Sequence, residues 1–385
     1  MFTFMDKITK WVIGAVIAVL IVWGYSMFKD QSGPVVVEPV SVKPVVMEPI
    51  KIGATLPLTG EAASYGEGTK AGIDLALKEV NDAGGINGRK LEIVYEDDKC
   101  SKDGVTAIQK LVTIDKVDAI IGPVCSAAGG PGLPIAQAAK VPVIFWASAP
   151  HLTKIGDYMF RTYPSDAFQG EFAAGYLFNN LKKQKVAILY VKNDWGQGIR
   201  DVFVSEFEKL GGKIVFDDGV LQDTKDFKTV LTKLKQSDPD SIYLPVYPAG
   251  GAIAVKQMKD LAISLPILGG DAFDAEEFLK IPQAEGVMYL IGKLNNPDEF
   301  KARVKVATGK DSIVFTPLGY DGIKILAQII KEVGTDKQAI RDSLAKLRYT
   351  EGITMPMIDF DENGDLKTIQ LEVRVVKDGN GVVIQ

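Results

Sequence analysis

Few residues of this 385-residue chain belong to the types that most often perform catalysis or bind zinc. The sequence has one histidine, His151, and two cysteines, Cys100 and Cys125. A Cys/His zinc site needs three or four ligands of these types, and a serine or cysteine triad could use only His151. A GxxxxGK[ST] phosphate-binding loop is also missing from the sequence. We therefore expect no enzyme activity, no metal site and no cofactor.

Another set of residues suits binding rather than catalysis. These residues follow the ends of predicted strands, which is where ligands bind in parallel α/β sheets. They are Tyr65, Ser126, Trp146, Ser148, Trp195, Tyr247 and Asp271. Serine hydroxyls and loop amides can hold a carboxylate, and Asp271 with the tyrosine rings can hold an ammonium group. Because no general base accompanies a nucleophile in this set, we expect it to bind a small zwitterion without chemistry.

Two runs of alternating strands and helices are predicted to position these residues. The first run has strands over 50–56, 90–95, 119–122 and 143–146 and helices over 65–81, 103–114 and 132–140. The second run has helices over 170–181, 199–210, 227–236 and 251–261 and strands over 186–191, 213–216, 241–245 and 266–268. Such alternation is typical of parallel sheets covered by helices. The predicted fold class is therefore α/β, with two units of similar design.

The C-terminal part of the chain is predicted to contain two helices and a hairpin. The helices are expected over 319–333 and 337–347. Segments 357–360 and 369–376 are predicted to pair around Asn363–Gly364, because Asn-Gly is a strong signal for a two-residue hairpin turn.

The first fifty residues differ in character from the rest. Residues 11–28 carry no charge and reach the lower length limit of a membrane-spanning helix, so 1–30 is predicted to be a membrane anchor. A cleaved signal peptide is the alternative, with Lys7 and Lys10 as its positive region. Residues 31–49 contain a proline every five residues, which favours an extended linker. Either interpretation places the remainder of the chain outside the cytoplasm.

The two cysteines and the overall charge limit the environment and the partners of the chain. A disulfide between Cys100 and Cys125 is the default expectation in an exported domain, and two buried free thiols are the alternative. The chain has 44 basic and 49 acidic residues, for a net charge of −5. It lacks the basic excess of nucleic-acid-binding proteins, so no nucleic-acid partner is expected.

Four segments carry a resemblance to a known family. They are IKIGATLPLTGEAASYGEGTKAGIDLALKEVNDAGGINGRKLEIVYEDDKC, AIIGPVCSAAGGPGLPIAQAAKVPVIFWASAPHL, ILYVKNDWGQGIRDVFVSEF and DFKTVLTKLK. In these segments the chain from about 50 to 385 resembles the periplasmic solute-binding proteins for branched-chain amino acids, the leucine/isoleucine/valine-binding group.

The resemblance implies a two-lobed type I periplasmic-binding-protein fold, which closes on an amino acid and delivers it to the permease of an ABC importer. Lobe 1 would comprise 50–167 and about 294–367, and lobe 2 would comprise 168–293 and about 368–385. The binding domain would lie on the extracytoplasmic side of the cell membrane, tethered by a single N-terminal helix, or would be secreted or periplasmic if that segment is cleaved. The alternatives are a ligand-sensing receptor ectodomain, and a small amide or aromatic acid as the ligand.

The resemblance also implies roles for individual residues. Ser126 and Ser148 would bind the ligand carboxylate, and Asp271 would bind its ammonium group. The positions that match aromatic lining residues are Tyr65, Trp195 and Tyr247. Cys100 and Cys125 match a disulfide found in some members.

Trp146 departs from the family pattern, because its counterpart is usually small. A bulky indole at this position would narrow the side-chain pocket or replace part of a ligand.

Overall fold

The computed structural model describes residues 47–60 and 62–384, and the strands fall into two main sheets. The strands of the first sheet are β1 (Ile50–Leu56), β2 (Leu91–Asp97), β3 (Ala119–Ile121), β4 (Val143–Phe145) and β5 (Met159–Arg161). They are all parallel, in the order β2-β1-β3-β4-β5. Strands β3 and β4 are buried along their whole length, as expected of strands in a parallel sheet covered on both faces.

The remaining strands form a second sheet of seven strands and a separate pair. In chain order these strands are β6 (Lys185–Val191), β7 (Lys213–Val220), β8 (Ser241–Leu244), β9 (Ile267–Gly269), β10 (Met288–Gly292), β11 (Arg348–Tyr349), β12 (Ile358–Asp359), β13 (Leu371–Lys377) and β14 (Asn380–Val383). The second sheet has the order β14-β13-β10-β9-β8-β6-β7, and β11 pairs separately with β12. Strands β6 to β10 are parallel, whereas β13 and β14 are antiparallel additions at one edge.

Helices connect the parallel strands. They are α1 (Ala63–Asp82), α2 (Gly104–Lys110), α3 (Ser126–Ala138), α4 (Asp166–Gly175), α5 (Asp194–Lys209), α6 (Lys228–Gln236), α7 (Pro248–Asp260), α8 (Glu276–Leu279), α9 (Asp298–Thr308), α10 (Thr316–Val333) and α11 (Lys337–Leu344). A π-helical turn extends α2 over Leu111–Asp115 and another extends α4 over Tyr176–Asn180. We call the first sheet with its helices lobe 1, and the second sheet with its helices lobe 2. The α/β class and the helix-covered parallel sheets are as predicted.

The chain passes between the two sheets three times. It leaves the first sheet after β5, returns after β10, and crosses again before β13. The crossings lie side by side, because Lys293 N donates to Gln370 O at 2.8 Å and a Cβ on Gly292 would lie 2.9 Å from the Pro164 ring. This arrangement suits a hinge of three segments.

The C-terminal helices return to lobe 1 through a close contact between α10 and α1. A Cβ on Gly72 would lie 1.8 Å from the Thr316 carbonyl oxygen, and one on Gly319 would lie 2.5 Å from the Thr69 carbonyl oxygen. Only glycine permits such an approach of two backbones. The contact positions the loop before α10, which carries Phe315 to the cleft.

Two predicted helices begin five or six residues earlier than the sequence suggested. Helix α3 begins at Ser126 and not at 132, although it contains Pro131 and Pro134. Helix α5 begins at Asp194 and not at 199, because the Asn193 side chain caps it by accepting from Gly196 N at 3.0 Å. Both corrections place a predicted site residue, Ser126 or Trp195, in the first turn of a helix.

The predicted C-terminal hairpin is wrong in its pairing. Strand β12 pairs with β11, and β13 pairs with β10 and β14. The Asn-Gly turn closes only a short loop, in which Phe360 bridges Leu366 and Asp361 Oδ1 accepts from Asn363 N and Asp365 N. The turn signal was therefore real, but tertiary pairing with β10 determined the partner of β13.

The predicted membrane-spanning segment lies outside the described residues. Within 47–60 and 62–384, none of the helices has both the length and the apolar character needed to cross a bilayer.

Candidate functional site

A cavity of about 30 Å³ lies where the carboxyl ends of the strands of the two lobes face each other. Because this volume is small, the walls of the cavity stand close together. Its lining residues are Tyr65, Val124, Cys125, Ser126, Trp146, Ser148, Tyr163, Trp195, Tyr247, Asp271, Ala272 and Phe315. All seven residues predicted for ligand binding are therefore brought together.

Two serines form the hydroxyl side of the cavity in lobe 1. Ser126 begins α3 and is 1% exposed, and Ser148 follows β4 and is 5% exposed. The Ser126 Oγ accepts from Ala149 N at 3.1 Å, so its own proton remains available for donation. The first N–H groups of α3 have no partner within the helix. This end of the cavity can therefore donate several hydrogen bonds to an anionic group.

A disulfide fixes the start of α3. Cys125, the residue before Ser126, is bonded to Cys100 with a Cα–Cα distance of 5.2 Å. Both cysteines are almost completely buried. The disulfide joins the loop after β2 to the residue that opens α3, and Cys125 itself lines the cavity.

A buried ion pair supports the segment that carries Ser148. Arg161 is fully buried and forms two hydrogen bonds to the Asp365 carboxylate, at 2.6 and 2.8 Å. Its remaining terminal nitrogen donates to the carbonyls of Ala147 and Ala149 at 3.2 and 2.8 Å. The guanidinium therefore holds the backbone on both sides of Ser148. Sequence reasoning missed this pair, because its members are 204 positions apart.

A single acidic side chain lines the cavity from lobe 2. Asp271 follows β9 and is 8% exposed, and Gln169 Nε2 donates to its Oδ2 at 3.4 Å. Burial raises the pKa of the Asp271 carboxyl above its usual value. Among the described residues, no lysine, arginine or histidine lines the cavity to neutralise this carboxylate. A cationic group on a ligand would fill that role.

A second carboxyl lies behind Asp271, outside the cavity lining. Asp166 is fully buried, and Gln169 Nε2 donates to its Oδ1 at 3.3 Å. Burial raises the pKa of Asp166 well above its usual value, and the charge of Asp271 raises it further. Two carboxylates sharing one amide in a dry region resist ionising together. Asp166 therefore retains its proton more readily, which leaves the charge to Asp271.

Aromatic side chains from both lobes complete the walls. The rings of Trp195 and Tyr247 stack with their centres 5.0 Å apart. The Tyr247 hydroxyl accepts from Asn193 Nδ2 at 3.3 Å and lies 3.4 Å from Cys100 Sγ in lobe 1. From lobe 1, the Tyr65 hydroxyl donates to the Ala272 carbonyl of lobe 2 at 2.6 Å. These contacts hold the two lobes together around the cavity.

Five lining residues were not in the predicted binding set. One is Cys125, which was predicted only as a disulfide partner, and the others are Val124, Tyr163, Ala272 and Phe315. Tyr163 follows β5, so the strand-end rule would have found it had this three-residue strand been recognised. Phe315, whose ring lies 5.1 Å from that of Tyr65 and 5.6 Å from that of Tyr163, precedes a helix. No strand-end signal marks it.

The histidine considered for catalysis lies outside the cavity lining. His151 is exposed and is not a lining residue. Within residues 47–60 and 62–384, no group of three or more His, Cys, Asp or Glu side chains could hold a metal ion. The cavity has a hydroxyl-bearing side in lobe 1 and a carboxyl-bearing side in lobe 2.

Comparison with known proteins gives the same relationship as the sequence resemblance. The family described as periplasmic binding protein matches residues 49–380. The chain is 31% identical over 328 residues to the Leu/Ile/Val-binding protein homolog 1 of Brucella suis, covering 83% of this chain and 88% of that protein.

Solved structures of similar proteins indicate the same relationship. The leucine binding protein LivK of Thermotoga maritima has a TM-score of 0.81 and 28% identity, covering 87% of this chain and 98% of that chain. The branched-chain amino acid transporter substrate-binding protein LivJ of Streptococcus pneumoniae, in complex with isoleucine, has a TM-score of 0.78 and 30% identity. The match covers 87% of this chain and 99% of that chain. The predicted resemblance is confirmed, and the chain belongs to the periplasmic binding protein family.

Proposed function

We propose that this chain is the solute-binding component of an ABC importer and captures an amino acid by closing its two lobes. The observation that carries the proposal is the polarity of the cavity. Two serines and the start of α3 lie on the lobe 1 side, and the Asp271 carboxylate lies on the lobe 2 side. A zwitterion can satisfy both ends at once, and only when the lobes are closed.

The residue roles follow from this polarity. Ser126 and Ser148 hold the ligand carboxylate, and Asp271 holds its ammonium group. Tyr65, Trp195 and Tyr247 surround the ligand with aromatic rings, which favour a nearby cation. A ligand that touches both lobes stabilises the closed state by the contacts that the open state lacks. The hinge is proposed near 167/168, 293/294 and 367/368, where the crossing segments lie.

The location follows from the disulfide and the N-terminal segment. Disulfides persist in oxidising, extracytoplasmic compartments, and Cys100 and Cys125 form one in this fold. We propose that 1–30 anchors the chain to the membrane or is cleaved as a signal, that 31–49 acts as a spacer, and that the lobes work outside the cytoplasm beside an ABC permease. A ligand-sensing receptor ectodomain remains the second candidate, since the same closure could signal to a partner protein.

A thermal-shift screen against the twenty amino acids, small amides and aromatic acids tests the proposal. A ligand at one hundred times its Kd stabilises the folded state by about 2.7 kcal/mol, so at least one amino acid is expected to raise the melting temperature by several degrees. An Asp238→Asn variant should show the same response as the parent protein, because Asp238 is an exposed lobe 2 aspartate whose side chain is 88% accessible. A response limited to amides or aromatic acids, or chemical conversion of the ligand, would contradict the proposed function.

A further inference from the structure

Trp146 on the cavity wall has a polar atom without a partner. Its side chain is 1% exposed and lines the cavity, and its Nε1 forms no hydrogen bond within the described protein. The Tyr163 hydroxyl differs, because it lies beside the Asp271 carboxylate and interacts with it. Because buried polar groups are almost always paired in folded proteins, the unpaired indole N–H on a cavity wall points to a ligand.

The chemistry of the indole limits what this ligand can be. Indole Nε1–H is a donor only, so its partner must be an acceptor. The side chains of leucine, isoleucine and valine carry no acceptor and would seal the indole N–H in a dry cleft without a bond. A hydroxyl or carboxamide oxygen would accept from it.

Helix α10 lies beside the indole. A Cβ on Gly322 of α10 would lie 3.6 Å from Trp146 Cζ2 and 3.1 Å from Ile121 Cδ1, and α10 is packed closely against α1 through Gly72 and Gly319. Trp146 is also one of the largest fully buried side chains of the described protein. Its ring therefore limits the room for a branched side chain.

We propose that the ligand is a small amino acid whose side chain carries a hydrogen-bond acceptor, and that Trp146 is the residue that selects it. This inference rests on the proposed function and specifies its substrate class. Trp146 selects by size, because its ring occupies space that a smaller residue would leave open. It selects by chemistry, because its Nε1–H is satisfied only by an acceptor.

Isothermal titration calorimetry with amino acids of matched shape tests the inference. The pairs are threonine with valine, asparagine with leucine, and serine with 2-aminobutyrate. The member with the acceptor is expected to bind at least about tenfold more tightly in the pair that fits best, which corresponds to 1.4 kcal/mol. Trp146→Phe keeps an aromatic ring but removes the N–H, and is expected to reduce this ratio to about one by weakening the polar member.

A matched control separates the indole from a general loss of buried polar groups. Tyr243→Phe removes another buried hydroxyl without a partner, and Tyr243 does not line the cavity. The binding ratio should remain unchanged in this variant. If Trp146→Phe does not fold, the ratios measured with the parent protein still test the inference, because tighter binding of valine, leucine and 2-aminobutyrate would contradict it.

The outcomes distinguish this inference from the proposed function. Tighter binding of valine, leucine and 2-aminobutyrate, or an unchanged ratio in Trp146→Phe with both members weakened equally, would overturn the inference and leave amino acid binding intact. The latter result would assign the indole N–H to the carboxylate that all amino acids share. If the protein binds none of the six compounds and no other amino acid, both the inference and the proposed function are overturned.

Discussion

Each lobe contains a buried aspartate near the cleft, and the two carboxyl groups have different surroundings. In lobe 1, Asp98 is fully buried and accepts from Thr55 Oγ1 at 3.1 Å and from Cys100 N at 2.9 Å. In lobe 2, Asp271 lines the cavity, with Gln169 Nε2 at 3.4 Å and the Tyr163 hydroxyl beside it. The first carboxyl lies outside the cavity lining and stabilises a loop of its own lobe. The second faces the cavity, which distinguishes a structural carboxyl from a binding one.

The largest expected effect comes from removing the binding carboxylate. Asp271→Asn leaves the ligand ammonium unpaired in a dry cleft, and affinity should fall by about 2–5 kcal/mol. The dissociation constant measured by calorimetry checks this. Parent affinity should also decrease as the pH falls through the raised pKa of Asp271, because protonation removes the charge, whereas the variant should lack this dependence. An Asp271→Asn protein that binds as tightly as the parent would contradict the assignment.

The stability of the lobe 1 wall should depend on the buried ion pair between Arg161 and Asp365, and not on the charge of the ligand. Asp365→Asn leaves the Arg161 guanidinium buried without its counter-ion. Breaking a buried pair costs roughly 3–5 kcal/mol of unfolding free energy, and the lower value is expected because the Asp365 side chain is 17% exposed. Urea denaturation measures the loss. Asp238→Asn, at an exposed ion pair, should change stability by less than about 1 kcal/mol, and an equal loss in both variants would refute the structural role.

The structural carboxyl predicts a pH dependence of stability. Burial raises the pKa of Asp98 to about 7, above the value of about 3.9 expected in the unfolded chain. Between these values the folded state binds more protons than the unfolded state, so this group lowers stability as the pH rises from about 4 to about 7. Asp98→Asn should flatten that part of the profile in denaturation experiments. A slope unchanged by the substitution would show that Asp98 ionises normally.

The smallest effect is expected at the contact between the lobes. Tyr65→Phe removes the hydrogen bond to the Ala272 carbonyl, which is worth about 0.5–1.5 kcal/mol and forms only when the lobes are closed. Ligand affinity should decrease by this amount, with faster release in stopped-flow measurements. Tyr95→Phe is the control, because the Tyr95 hydroxyl bonds to Asp74 within lobe 1. Its ligand affinity should equal that of the parent.

Much of the cleft could be predicted from local sequence patterns. The alternation of strands and helices located the carboxyl ends of the strands, and the residues that follow them, such as Ser148 and Asp271, do meet in one cavity. The rule works because parallel strands all end at the same edge of a sheet.

What could not be predicted depends on contacts between distant parts of the chain. Strand β5 has three residues and no alternation long enough to detect, so Tyr163 was missed with it. The pairing of β13 with β10 and the bond from Arg161 to Asp365 join segments separated by tens to hundreds of residues. No local pattern encodes such partners.

The most direct measurement of the central claim compares one amino acid with its two singly blocked forms. Calorimetry is performed with the tightest-binding amino acid, its N-acetyl derivative and its carboxamide. If lobe 1 holds the carboxylate and Asp271 holds the ammonium group, each blocked form should lose at least about 2 kcal/mol of binding free energy, and Asp271→Asn should no longer distinguish the parent ligand from its N-acetyl form. Equal affinity of the parent protein for the amino acid and its N-acetyl derivative would contradict the account.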